Sequence, residues 1–436
     1  MLRVVEAFSG IGAQAKALER LKKKYQYEYS IENTIEWDIY AILAYDLIHN
    51  GPRDLRKIED ISDLMVDSFL QSISLSPDGK EPFKNNSIIK LNRNMKRHLY
   101  LAIKRTHNLV SIMDVHSKDL PSEIDVLTYS FPCQNLSVAS TIHGYMTGID
   151  KSIKNRSGML WEVERILEER KHDENGSLPK FLLMENVTTL LSRRFKRSFF
   201  EWVDYLEKLG YLNYYFRLKA DRFGIPQIRE RLFMISVLVP EDINKTRSEL
   251  KAEINTYFAF HDLMNDDYVN TLKLSKKSFE ETMRFDYSNP DYKAEADSVR
   301  LPNTDSRIKI VKQSPHLLDY RENGDLVCAK TINTITTRQD RNTSSGVIAY
   351  GERNDDYLEY RYLTPRECFL AMGFDEADYN MLVDNNIDVT SRKKAFSKQK
   401  LEKMAGNSIV VNVLEALFIQ IYEVKQLIDN SSRGDS

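Results

Sequence analysis

Cys133 is the side chain in this sequence best placed for covalent chemistry. It lies in Phe131-Pro-Cys-Gln134, directly after the apolar run Ile124–Phe131. On a loop after a parallel strand, a cysteine sits at the carboxyl edge of the sheet, where open α/β folds bind ligands. Only the thiolate is a strong nucleophile, so its proton must be weakly held or lost on attack. A lone cysteine is ordinarily a small core residue. Here Pro132, with no N–H for a ladder, and Gln134 argue against a strand interior. Glu185, in Met184-Glu-Asn-Val187, closes the strand candidate Phe181–Val187 and would neighbour Cys133 if the two strands are adjacent. A partly buried carboxyl there would hold its proton more tightly and act as a proton donor. Gln227-Ile-Arg-Glu-Arg231 leads into Leu232–Val239. In an extended segment Arg229 and Arg231 point the same way, and two guanidinium forks can hold a carboxylate, a carbonyl oxygen or a phosphate.

A second group of residues reads as a cofactor site. Arg3–Phe8 is a buried-strand candidate that runs into Ser9-Gly-Ile-Gly12 and the amphipathic stretch Ala13–Lys22. A glycine-rich turn before a helix exposes backbone N–H groups and lets a ligand approach closely. The next strand candidate, Tyr27–Glu36, ends on an acid placed for ribose hydroxyls. Trp37 beside it can pack against an adenine ring. Asp114 ends the following candidate, Val110–Val115, and can reach an adenine amine. Together these point to an adenosine-containing cofactor.

These residues need a scaffold, and the pattern predicts one. Strand candidates alternate with helix candidates at Asp38–Ile48, Gly158–Arg170 and Phe199–Leu209 through residue 240. That alternation predicts an α/β class with a parallel sheet. From about 241 the periodicity weakens, as expected of a second, smaller domain or large insertion. Helical patterning returns at Thr364–Met372 and Gln399–Leu427, with Thr364 and Pro365 as cap and first turn. The link 50–110 is long, and its segment Lys84–His107 carries seven Lys/Arg and no acid. This segment and Arg193-Arg-Phe-Lys-Arg197 are expected either to contact phosphates or to be solvated faces.

Composition narrows the classes. The 436 residues allow about two or three domains. With 62 basic against 64 acidic residues and 42% hydrophobic content, a disordered polyion and a uniformly basic coat protein are excluded. The three cysteines, Cys133, Cys328 and Cys368, form no CxxC pair, so a disulfide scaffold is not expected. Cys328 and Cys368 are expected to be structural. The eight histidines lack ligand spacing, so no metal is expected. No signal peptide or membrane-length apolar run is read, which predicts a soluble intracellular protein.

The ordered motifs resemble the DNA (cytosine-5)-methyltransferase family of the bacterial restriction–modification type. The resemblance runs through Phe8-Ser-Gly-Ile-Gly12, Pro132-Cys133-Gln134, Glu185-Asn186-Val187, Gln227/Arg229/Arg231, Arg361–Phe374 and Gly406-Asn407-Ser408. It covers the chain from Val4 to about Leu417. It implies a Rossmann-like S-adenosylmethionine-dependent fold with a smaller target-recognition domain. Residues 1–240 would be the catalytic and cofactor-binding domain, with the basic insertion at about 50–110. Residues 241–360 would be the recognition domain, and 361–430 would complete the catalytic domain. Cys133 would attack carbon 6 of a flipped-out cytosine. Glu185 would hydrogen-bond the ring. Arg231 would hold the base and position Glu185, and Arg229 would support the pocket. S-adenosylmethionine would be held by Phe8, Gly10, Gly12, Glu36, Trp37, Asp114, Leu160, Asn407 and Ser408. Duplex DNA would be touched by Gln134, Lys151, Lys154, Arg156, Thr334 and Arg338. A separate cognate endonuclease, a monomeric state and a cytoplasmic, nucleoid-associated location are further implications. The competing classes are an RNA cytosine methyltransferase on this fold, a silent binding protein, and a nicotinamide dehydrogenase using the glycine turn.

Overall fold

Apolar strands flanked by helices build a central six-stranded sheet. In this computed structural model the described residues are 1–84, 87–132, 159–240, 246–301, 304–305, 317–322, 325–328, 330–340, 345–354, 357–390 and 393–433. The strands are β1 (Leu2–Ala7), β2 (Tyr29–Ile35), β3 (Val126–Tyr129), β4 (Phe181–Asn186), β5 (Tyr211–Lys219), the short β6 (Gln227–Ile228) and β7 (Glu230–Leu238). The sheet order is β2-β1-β3-β4-β7-β5. Pairings β2–β1, β1–β3 and β3–β4 are parallel, whereas β4–β7 is antiparallel. The expected α/β class with a parallel sheet therefore carries one reversed strand. Mixed sheets of this kind are common among doubly wound folds.

The chain divides into two compact units. The first holds residues Met1–Leu218, Glu230–Lys273 and Leu414–Ser436; the second holds Lys219–Arg229 and Leu274–Val413. In the first, the helix Leu160–Lys171 buries Leu160, Val163, Ile166 and Leu167, and Lys196–Lys208 buries Phe199, Trp202, Val203 and Leu206. Both faces join one core with Leu127, Leu182 and Met234 from the strands. The end of the helix Val411–Arg433 belongs to this unit. Glu415 pairs with Arg20 at 3.0 Å, and the Tyr422 hydroxyl donates to the Glu28 carbonyl at 2.6 Å.

The second unit contains β8 (Leu317–Glu322), β9 (Asp325–Cys328), β10 (Ile332–Asn333), β11 (Val347–Asn354) and β12 (Tyr357–Arg361), and forms a four-stranded sheet in the order β12-β11-β8-β9. Its buried anchor is Arg361, whose guanidinium makes two 2.8 Å bonds to the Glu367 carboxylate with both side chains inaccessible. Glu367 also accepts the Thr364 N–H, and Thr364 caps the helix Pro365–Ala371 as expected. Cys368 is fully buried in that helix.

Two sequence expectations change. Val110–Val115 is not a strand: Val110 sits at φ 69, and Asp114 N–H donates to Ser111 O at 2.9 Å, closing a turn. Val110, Ile112 and Val115 are buried, so the apolar run packs as a turn. An isolated parallel bridge between Thr34 and Asn108 stands in for the strand. The helical stretch expected over Gln399–Leu427 breaks at Ser408 into Lys398–Asn407 and Val411–Arg433. The stretch Lys398–Ser431 is long and apolar enough for a membrane span by composition, but 89% of that window is buried inside the protein, as in a core helix.

The basic insertion folds as the helix Arg93–Arg105 against Ile39–Asn50, with Asp63–Gln71 packed on Arg93–Arg105. Most cations of its segment Lys84–His107 find partners within the chain, although only Arg97 among them is buried. Arg97, 6% exposed, bonds the carbonyls of Ile58 and Ile61 and the Asp63 carboxylate. Arg93 and Lys96 pair with Asp63 and Asp67 at 2.5 and 2.6 Å. Lys104 lies 4.2 Å from the Phe69 ring centre, and Arg105 pairs with Asp46 at 3.1 Å. Lys84, Lys90, Arg93 and Lys104 remain exposed. The acids that pair with the segment lie outside it in sequence; of Lys90, Arg93, Lys96 and Arg97, the fold buries Arg97, half-buries Lys96 and leaves Lys90 and Arg93 open to solvent. Arg97→Ala should lower stability by roughly 2–3 kcal/mol in urea unfolding, because the buried Ile58 carbonyl and the half-buried Ile61 carbonyl lose their donor. It should leave the salt slope of DNA binding unchanged, and a flattened slope at unchanged stability would reverse this assignment.

Candidate active site

β3 and β4 are neighbours, with Tyr129 opposite Met184. The chain leaves β3 through Ser130, Phe131 and Pro132 toward Cys133. Cys133 itself lies outside the described residues, as do Gln134, Lys151, Lys154 and Arg156. The approach to it is fixed by Asn186, which the sequence reading gave no role. This side chain is 2% exposed, donates to Phe131 O at 3.0 Å and accepts the Val187 N–H at 2.8 Å. It ties the end of β4 to the backbone two residues before Cys133.

Glu185 meets Arg231 at the same edge, with Nε 3.4 Å from Oε1. The register explains this. In the antiparallel pair Glu185 faces Phe233 and Asn186 faces Leu232, so Arg231 stands one residue beyond, where β4 ends. Arg231 also donates to the Glu230 carbonyl at 2.8 Å. Both side chains are mostly buried, which gives the pair more weight than an exposed one.

Arg229 does not follow the expected common direction. Its N–H donates to Gln227 O at 2.9 Å, a tight turn that interrupts the extended run. Its guanidinium is buried in the second unit and bonds the carbonyls of Ile335, Gly406 and Ser408 at 3.0, 3.1 and 2.9 Å. It thus closes the carbonyl end of Lys398–Asn407, as an arginine can at a helix C-terminus. Gln227 holds the same region, donating to Ala371 O and accepting the Ile335 N–H. Asn407 is exposed and Ser408 buried in this turn. Thr334 donates to Ile228 O at 2.8 Å, while Arg338 pairs with Asp340. Arg193, Arg194, Lys196 and Arg197 are exposed after the one-turn helix Thr188–Leu191.

The glycine turn is gripped from two sides. Phe8 N–H donates to Ile35 O at 2.8 Å, and Gly10 N–H donates to the Glu36 carboxylate at 3.0 Å. Glu36 also accepts the Asp38 N–H at 2.8 Å. The structure thus brings Phe8, Gly10, Gly12 and Glu36 together, with Trp37 half-buried beside them. Gly10 and Gly12 lie at φ +56 and +79; Gly10 faces open space, whereas a Cβ on Gly12 would collide with the rings of His49 and Tyr45. Asn108, which nothing in the sequence pattern singled out, holds the Glu36 backbone. Its amide donates to Glu36 O at 2.9 Å and accepts the N–H groups of Glu36 and Val110 at 3.1 and 2.9 Å. Asp114 is exposed in the turn described above, not at a strand end. The Leu160 side chain lies in the core, so any ligand contact there comes from its backbone.

Beneath this turn lies Glu6, fully buried on β1. Burial pushes its carboxyl up from the ordinary 4.5 to about 7; the Tyr45 hydroxyl and Ala15 amide face it and only partly offset that cost. A carboxyl raised on folding favours the folded state while protonated. Its contribution is complete below pH 4.5 and is lost as pH rises toward 7. Glu6→Gln should therefore gain on the wild type by about 1.4 kcal/mol per pH unit across that window, then level off. Thermal unfolding of both proteins from pH 5 to 8 checks this, and a constant difference would contradict it.

Comparison with known proteins gives the family. The C-5 cytosine-specific DNA methylase family matches residues 83–423. The orphan methyltransferase M.SssI of Spiroplasma monobiae is 33% identical over 429 residues, spanning 96% of this chain and 97% of that protein. The type II methyltransferase M2.ScrFI of Lactococcus lactis subsp. cremoris is 33% identical over 432 residues, covering 97% and 99%. Among solved structures, the S. pombe Dnmt2 methyltransferase shares the fold at TM-score 0.56 and 16% identity, covering 97% of this chain and 99% of its own. Entamoeba histolytica EhMeth does so at 0.54 and 15%, covering 97% and 98%. By its family match and its full-length relatives, this chain belongs to the C-5 cytosine-specific DNA methylases.

Proposed function

We propose that this DNA cytosine-5 methyltransferase transfers a methyl group from S-adenosylmethionine to a cytosine within a specific duplex sequence, using Cys133 as nucleophile and Glu185 as its partner. The observation that carries the assignment of roles is the Glu185–Arg231 pair at the edge where β3 leads into Pro132 and Cys133. The cofactor reading is supported by the open face of Gly10 and the carboxylate of Glu36 beside it. Phe8, Gly10, Gly12, Glu36 and Trp37 would hold the cofactor, with Asp114, the Leu160 backbone, Asn407 and Ser408 as further candidates. When bound, S-adenosylmethionine supplies an electrophilic methyl group on a sulfonium.

The chain's own residues supply the rest. Carbon 5 of cytosine is a poor nucleophile until carbon 6 carries a covalent bond, and the Cys133 thiolate forms that bond. Glu185 hydrogen-bonds ring nitrogen 3 and the exocyclic amine and stabilises the enamine. Arg231 orients Glu185 and the base carbonyl. After methylation, loss of the carbon 5 proton expels Cys133. The base must leave the helix to reach this edge. Arg229 acts by fixing the Gly406–Ser408 turn.

The recognition region lies within 241–360, and Gln134, Lys151, Lys154, Arg156, Thr334 and Arg338 are the proposed DNA contacts. The enzyme works as a monomer in the bacterial cytoplasm at the nucleoid, and protects sites that a separate endonuclease would cut. Tritiated S-adenosylmethionine and mixed genomic DNA, followed by base-resolution sequencing, test the assignment. The wild type should label one cytosine in a fixed motif, and Cys133→Ser none. Glu185→Gln should lower kcat by roughly 10²–10⁴-fold with cofactor affinity intact. Full activity of Cys133→Ser would remove the nucleophile assignment.

A further inference from the structure

The helix Ile39–Asn50 has two loaded faces. On one, His49 and Tyr45 pack ring to ring at 4.5 Å under the glycine turn. His49 Nε2 lies 3.1 Å from Ile11 O, so the ring nitrogen donates and the carbonyl accepts. Ile11 lies between Gly10, whose open side faces the proposed ligand, and Gly12, whose Cβ position the two rings occupy. Asp46, one turn earlier and fully buried, faces the insertion. Arg53 pairs with it at 3.0 Å and Arg105 at 3.1 Å. Arg53 lies at the start of the insertion and Arg105 near its end. The Arg53 guanidinium also donates to Leu43 O on the same helix and to the ring of His98. Burial and the neighbouring Arg53 charge lower His98 to about 4 and keep that ring neutral, so it can accept.

We infer that His49 is a positioning residue for the methyl-donor loop, and that the insertion's two ends, clamped on Asp46, hold the His49 helix in place. The insertion thereby serves cofactor affinity. A left-handed Gly-x-Gly turn has no side chain of its own to fix it, and the helix Ala13–Tyr25 that follows has no side-chain cap at Gly12. A donor on the Ile11 carbonyl fixes the peptide plane between the two glycines. Without it, the turn spends part of its time in conformations that bind the ligand less well, and affinity falls by that fraction.

This rests on reading the Phe8–Gly12 loop as the S-adenosylmethionine site, so the probe is S-adenosylhomocysteine, titrated calorimetrically against the full chain. His49→Leu keeps bulk and removes the donor. It should weaken binding roughly tenfold, the equivalent of one hydrogen bond. It should raise the cofactor KM in parallel, with kcat at saturating cofactor and DNA affinity unchanged. His49→Gln, whose amide can donate to the same carbonyl, should recover most of the affinity. Arg105→Ala, made at a partly exposed side chain of the insertion, should weaken binding by roughly threefold, a fraction of a lost ion pair, without altering the salt slope for DNA. That variant decides the matter if His49→Leu fails to fold. Wild-type affinity in His49→Leu, or a His49→Gln loss as large as that of His49→Leu, overturns the role of His49. Unchanged affinity in Arg105→Ala overturns the role of the insertion. If the wild type itself binds no S-adenosylhomocysteine, the cofactor reading falls and takes this proposal with it.

Discussion

The direction of β7 is the constraint on which the catalytic edge depends. In a wholly parallel sheet, every strand would end at the ligand edge and begin at the opposite one. Arg231, at the start of its strand, would then lie on the far side of the sheet from Glu185. Because β7 runs antiparallel to β4, its first residues stand where β4 finishes. The cation thereby reaches the carboxylate across one strand spacing, without a loop to position it. A one-residue slip in this register would turn Glu185 and Arg231 to opposite faces. Both faces of β7 are buried, so what opposes the slip is the fit of Leu232, Met234, Ile235 and Val237 in their packed sites, which a change of face would lose.

The sheet edge alone does not order the loops it carries. Phe8 adopts φ 58, unfavourable for a residue with a side chain, and Val110 adopts φ 69, more costly still for a β-branched one. Both flank Glu36, through the Ile35 carbonyl on one side and Asn108 on the other. Strain of this kind persists only where its surroundings over-determine it. Here Asn108 satisfies three backbone groups at once, so the Val110 turn cannot relax without orphaning the Glu36 and Val110 N–H groups.

Much of this was legible in the sequence, for reasons that can be named. β1, β3, β4 and β7 read correctly because strands buried on both faces appear as unbroken apolar runs. β5 was missed because Tyr211–Lys219 is half exposed and places Asn213, Arg217 and Lys219 among its aromatics. Val110–Val115 misled for the opposite reason. Its apolar residues are buried, but in a turn, and composition does not separate a buried turn from a buried strand. The two arginines of Gln227–Arg231 were read as a pair because period-two alternation assumes an extended chain. A single N–H bond from Arg229 to Gln227 O breaks that assumption and sends the two side chains to different tasks. His49 and Asn108 left no signal, since each acts through one geometry that only the fold creates.

The insertion shows why a charge run is weak evidence for a partner. Seven cations without an acid across Lys84–His107 look like a surface for phosphates, because sequence distance hides Asp46, Asp63 and Asp67. In the fold those acids, the Phe69 ring and a set of backbone carbonyls partner Arg93, Lys96, Arg97, Lys104 and Arg105, while Lys84, Lys90, Arg93 and Lys104 keep solvent access. Arg105, whose donors meet the carbonyls of Asn50, Gly51 and Pro52 and the buried Asp46 carboxylate, contributes little long-range field. In the shorter run Arg193–Arg197 all four cations are exposed, and Arg197 pairs with Glu201. Solvent access and the location of the compensating acids, more than the length of the run, decide which segment can meet a nucleic acid backbone.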